Sequence, residues 1–132
     1  MLRPILVLES NDAYKDGKGR EYYLHYFTTE TTKYHEALPD ILKSYDPVTG
    51  LWPESPGYAL GTVSMLLDIA LMLKSNGIDI IADNPVMQKA ALAVFPWIDE
   101  QCNLIVFGDS RGGSANFTMF ENLLTYYTLT KD

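Results

Sequence analysis

The sequence predicts an all-α fold built from antiparallel helix hairpins. Three observations carry this. Between about residues 31 and 130, apolar side chains recur at spacings of three and four. Clusters of Pro, Gly and Asn interrupt that pattern where a hairpin would turn. No stretch alternates apolar and polar residues over any length, so the repeating unit is helix, loop, helix.

Residues 9–20 form a polar, glycine-containing loop, and Glu21 to Phe27 is dense in aromatics, readable either as a short strand or as an aromatic loop. Thr31 or Thr32 caps a helix running to about Tyr45, with Ala37, Leu38, Ile41, Leu42 and Tyr45 at helical spacing. Pro39 either kinks this helix or marks its true first turn. Asp46-Pro47-Val48-Thr49-Gly50 is a turn signal, with Pro early and Gly late. From about Ala59 to Ser75 the chain is helical and apolar nearly all round, as a helix buried among other helices would be. Asn76-Gly77 stops it, with Gly taking the left-handed position. Asn84 caps the next helix with Pro85 in its first turn, and Pro96 kinks it. Asn103 to Gly108 is a short apolar run and Asp109 to Gly113 a loop. Ser114 or Asn116 caps a last helix with Phe117, Phe120, Leu124 and Tyr127 on one face. The organisation is an aromatic and polar segment over 1–30 and a helical-hairpin domain over 31–132. Two adjacent helices this apolar imply further layers of helices, as in a solenoid or toroid. The missing surface would come from the rest of a larger toroid or from a second copy.

The 132 residues suffice for one modest core. A net charge of −7 with no basic stripe argues against nucleic acid. The lone Cys102 excludes an internal disulfide and reads as a small core residue. The first nine residues are too short an apolar run for a signal peptide. The longest apolar run, around Val63 to Leu73, contains Asp68 and falls short of a membrane span. His25 and His35 lack metal-ligand spacing, so neither a metal site nor a cofactor is expected. Gly17 and Gly19 echo a phosphate loop without its spacing.

The stretch Gly50-Leu51-Trp52-Pro53-Glu54-Ser55-Pro56-Gly57-Tyr58 concentrates aromatic and ionisable groups in a loop between helices, where sites tend to be built. With His35 on the preceding helix, Trp52, Glu54 and Tyr58 form the first candidate constellation. Trp52 and Tyr58 packing the helix junction is the structural alternative. A tyrosine serves as acid or base when its environment matches it to a poor leaving group.

This stretch, followed by a long apolar helix, resembles the loop of heparinase II/III-like and alginate-lyase-like polysaccharide lyases. The matching residues are Asp46, Gly50, Glu54, Pro56, Gly57 and Tyr58. The later Phe107 to Gly113, FGDSRGG, looks like the family's loop after a subsequent helix pair. The resemblance covers roughly residues 30–130. It implies an (α/α) toroid and β-elimination on a uronic-acid glycan, either acidic or mixed in charge. The family's tyrosine protonates the leaving oxygen and sometimes also acts as base, a role that falls to Tyr58. His35 would then be catalytic, and Trp52, Glu54, Asp109 and Arg111 would bind substrate. The resemblance also implies a periplasmic or secreted location. The chain departs from the family in lacking an upstream Asn-His pair and the β-sandwich domain.

Ile105 to Ser110, IVFGDS, resembles the first block of the GDSL-type esterases, but no histidine follows Ser110, and the simpler reading makes Asp109 and Arg111 a loop ion pair. The competing functional class is a non-catalytic helical module that binds a glycan or protein through its Tyr- and Trp-rich loops.

Overall fold

The computed structural model describes residues 2–130. The fold is all-α, and the chain divides into two compact units, Met1–Lys43 and Ser44–Asp132. The boundary expected at residue 30 falls inside the first unit, one residue past the end of a helix.

The first unit contains α1 (Leu2–Leu6), a 3-10 turn at Asn11–Ala13, α2 (Arg20–Thr29) and α3 (Leu38–Leu42). The aromatic stretch read as strand or loop is therefore α2. Its start is fixed from a distance: the Asn11 side-chain oxygen accepts from the amides of Gly19 at 2.9 Å and Tyr22 at 3.0 Å. The Glu21 carboxylate accepts from the Asn11 amide in return, at 2.8 Å. Bonds from its own amide and that of Asn11 hold the Glu21 carboxyl below the usual range. A Cβ at Gly19 would come within 2.6 Å of the Ser10 backbone, so only glycine lets these segments meet.

The helix expected from Thr31 to Tyr45 shrinks to the five residues of α3. Pro39 lies in its first turn, where a missing N–H costs nothing. Thr31 bonds ahead of it, accepting from the Ala37 amide at 3.0 Å and donating to Asp40.

The second unit is organised around α4 (Pro56–Lys74). Pro56 opens it with a backbone angle already suited to a helix. A Schellman motif closes it: Gly77 adopts φ +84°, its amide bonds the Lys74 carbonyl, and the Ile78 amide bonds that of Leu73, both at 3.0 Å. Val63, Leu67, Ala70 and Leu73 are buried, and α4 packs on α5 (Ile80–Asp83), α6 (Val86–Ala93) and α7 (Thr118–Thr130). At 19 residues it is longer than the apolar run read from sequence and, by length and composition, long enough to cross a membrane. In this structure Leu60, Val63, Leu66, Leu67, Ala70 and Leu73 of this helix are buried in the core of the unit.

Asp79 ties the far end of α4 to its neighbours. It accepts from Lys74, from the Ala82 amide at 3.1 Å as the α5 cap, and from the Tyr126 hydroxyl at 3.3 Å. Asn84 does not cap α6; its side chain turns back to the Ile80 carbonyl, and α6 begins at Val86. That helix stops at Ala93, because Pro96 has no N–H to continue it; Phe95–Trp97 is a 3-10 turn.

The expected face of α7 is displaced by one residue. Met119, Leu123 and Tyr126 are buried, while Leu124 is 67% exposed and Phe117 and Phe120 pack on each other nearer the surface. Both stripes are apolar, so sequence spacing does not choose between them. Ser114 belongs to a strand, and Asn116 closes the turn before α7 by accepting from the Thr118 amide at 2.9 Å.

Candidate functional site

The turn at residues 46–50 forms as its composition predicts. Asp46 accepts from the Val48 and Thr49 amides and the Thr49 hydroxyl. The Thr49 bonds come first among the influences that hold its carboxyl below the usual range. Gly50 has φ +76° and lies directly on α6: a Cβ there would sit 2.4 Å from the Lys89 carbonyl carbon. Lys89 donates to the Pro47 carbonyl at 2.7 Å, so the turn is clamped to α6 from both sides.

Beyond the turn, Trp52 stacks on Tyr45, with ring centroids 6.0 Å apart. Tyr45 is buried, its hydroxyl lacks a hydrogen-bond partner, and burial pushes its pKa up to about 12. Trp52 is thus packed at the helix junction, as the structural alternative had it. Glu54 is exposed.

Tyr58 lies in the first turn of α4, at the mouth of an open cleft of about 290 Å³. The opposite wall comes from about fifty residues later in the chain. There, β1 (Asn103–Leu104) and β2 (Gly113–Ser114) pair antiparallel, with Asn103 opposite Ser114 and Leu104 opposite Gly113. This two-residue hairpin is the neck of the loop 105–112. Asp99 braces the neck by accepting from the Gln101 and Asn103 amides. Gly108 has φ +62° and brings the loop down against Ser55: a Cβ there would lie 3.2 Å from the Ser55 Cβ. A side chain at Gly108 would strain the left-handed backbone and press on Ser55.

The cleft is lined by Ser55, Gly57, Tyr58, Leu104, Asp109, Ser110, Arg111 and Gly112. Three of the residues singled out from sequence, Tyr58, Asp109 and Arg111, therefore share one cleft. Asp109 and Arg111 make no ion pair with each other within 4.0 Å. Trp52 and Glu54 are not among the lining residues. His35 belongs to the first unit, where its ring stacks on Tyr26 at 4.9 Å and its Nε2 is buried without a hydrogen-bond partner. Ser110, weighed only as an esterase nucleophile, lines the cleft; both histidines lie in the first unit, so the second unit has no imidazole base. Among the described residues no group of three or more His, Cys, Asp or Glu is placed to hold a metal ion. Cys102 is exposed, with φ +61°, rather than a core residue.

Sequence reasoning missed Ser55. Its signal was present: a serine immediately before a proline that starts a helix occupies the cap position. Comparisons with protein-family models, with curated proteins and with solved structures give no match.

Proposed function

We propose that this chain is part of an (α/α)-toroid domain that acts on uronic-acid glycans by β-elimination at the cleft beside Tyr58. The observation that carries the reading is the convergence of Tyr58, Asp109 and Arg111, from two distant segments, on that cleft. Each has a distinct use. The Arg111 guanidinium pairs with the substrate carboxylate and favours the electron density that builds there when the C5 proton leaves. The Tyr58 phenol gives its own proton to the departing 4-oxygen as the C4–C5 double bond forms and the bond to that oxygen breaks, and the same phenol oxygen takes the C5 proton, so the phenol is restored. Asp109 accepts from ring hydroxyls. The cleft volume lies at the lower end of the range for ligand sites, enough for one sugar unit rather than a long subsite row. Such a role places the chain in the periplasm or outside the cell, working with the remainder of a toroid or with a second copy.

A second reading is favoured by one observation: Tyr58 is 58% exposed, as suits an aromatic platform for a sugar face. The chain would then be a non-catalytic glycan-binding module. An ultraviolet assay for unsaturated uronate, run on a panel of uronic-acid polysaccharides, separates the two. The elimination reading expects a rising signal that is lost in Tyr58→Phe while glycan binding persists. Wild-type turnover in that variant would sink the role of Tyr58, and binding without any elimination product would establish the module.

A further inference from the structure

We infer that the amino end of α4 is an oxyanion pocket that holds the carboxylate of a sugar acid, with Ser55 and the first-turn amides as its donors. The inference deepens the proposed function and rests on the cleft being a ligand site.

Three observations converge here. Ser55 is only 6% exposed, yet its hydroxyl has no hydrogen-bond partner. It occupies the cap position of α4 but does not cap: no first-turn amide bonds its side chain. A buried hydroxyl without a partner costs stability, and at a cap position it would ordinarily be spent on the helix. Ser55 lines the cleft, together with Gly57, Tyr58 and Arg111.

The helix end supplies the remaining donors. Pro56 has no N–H, and the Ala59 amide bonds the Ser55 carbonyl at 3.0 Å. Helix geometry leaves the Gly57 and Tyr58 amides without an intrahelical acceptor. They sit at the positive end of a 19-residue helix, where an anion is favoured. A Cβ at Gly57 would sit in ordinary van der Waals contact with the Ser110 hydroxyl, at 3.4 Å, so the helix end and the opposite wall of the cleft lie close together here. Arg111 makes no ion pair among the described residues, so its charge is available to a ligand.

Asp109 selects among anions. The residue lines the same cleft, and its negative charge would repel a bare inorganic anion lacking donors. A sugar acid offers an oxyanion to the helix end and hydroxyl donors to Asp109. A neutral sugar satisfies Asp109 alone.

The test is a titration of the full chain with D-glucuronate, followed by ¹H–¹⁵N correlation spectra, with glucose and sodium sulfate as comparators. Expected are saturable shifts of the Gly57 and Tyr58 amides with glucuronate, and weaker binding of both comparators. Ser55→Ala should weaken glucuronate about tenfold, the loss of one hydrogen bond to a charged group. The fold should tolerate it, because the hydroxyl bonds nothing within the protein. Arg111→Gln, at an exposed position, should weaken binding by a similar factor and guards against a Ser55 variant that misfolds. Glucuronate shifts confined to residues 108–113, unchanged by Ser55→Ala, would overturn the pocket and leave the cleft as a ligand site. Sulfate binding as tightly as glucuronate would overturn the sugar-acid assignment. No shift at any cleft residue would overturn both the pocket and the proposed function.

Discussion

Replacing Leu67 with alanine tests whether α4 is the core of a packed unit. Leu67 is fully buried in the middle of a helix that packs on α5, α6 and α7. The substitution removes three buried carbons, about 2.4 kcal/mol at roughly 0.8 kcal/mol each. The cavity left behind adds to this, and buried Leu→Ala changes together cost about 2–5 kcal/mol. For a unit of roughly 90 residues, each kcal/mol moves the midpoint by about 4–8 °C, so a loss near 3 kcal/mol lowers Tm by about 12–24 °C. Met65 supplies the control, since it lies on the same helix and is 57% exposed. Met65→Ala should change stability by less than about 0.5 kcal/mol. The assay is thermal unfolding followed by circular dichroism, with both variants beside the wild type. Equal shifts for the two would refute the orientation of α4. A negligible shift for Leu67→Ala would mean that its apolar face is covered by something other than α5, α6 and α7.

Three further outcomes follow from the same structure. Gly50→Ala should cost at least about 1–2 kcal/mol from the left-handed backbone alone, and more from the contact with the α6 backbone; a loss below about 0.5 kcal/mol in urea unfolding would show that the turn is not clamped to α6. Tyr45→Phe should be neutral or stabilising at pH 7, because it deletes a buried hydroxyl without a partner. The raised pKa of Tyr45 contributes stability that is complete below about pH 10 and lost as pH rises through about 12, so this variant should also resist alkaline unfolding; an unchanged alkaline limb would contradict the assignment. Burial works against ionisation of Asp79, but its bonds from Lys74, the Ala82 amide and Tyr126 outweigh it and hold the carboxyl below the usual range. That contribution is present above about pH 4 and lost as pH falls further, so Asp79→Asn should flatten the acid limb of a pH–stability curve, and an acid limb as steep as the wild type would exclude it.

Where a signal was local, the sequence could be read. Gly77 ends α4 because the left-handed position and the two bonds that close it lie within six residues. The 46–50 turn formed for the same reason. The start of α2 was illegible because its cap, Asn11, stands eight residues before Gly19, and because no α2 residue is fully buried to mark a stripe. The face of α7 was misread because Leu124 and Leu123 are equally apolar; only the position of α4 decides which is covered. For the cleft, residue type singles out Tyr58, and the family resemblance adds Asp109 and Arg111; the structure lines one cleft with all three. The unused hydroxyl of Ser55 was not conspicuous, because whether a cap residue caps depends on atoms that the sequence does not place.

The two walls of the cleft stand about fifty residues apart, and one of them is a loop pinned at a two-residue neck and laid over Ser55 through Gly108. Contacts of that sequence separation close late, because loop entropy must be met before they form. Helix α4 meets α7 across a similar sequence separation, so the cleft and the core of this unit depend on the same long-range closure. A ligand that binds only the assembled cleft therefore raises the stability of the whole unit, by an amount that grows with the logarithm of its concentration.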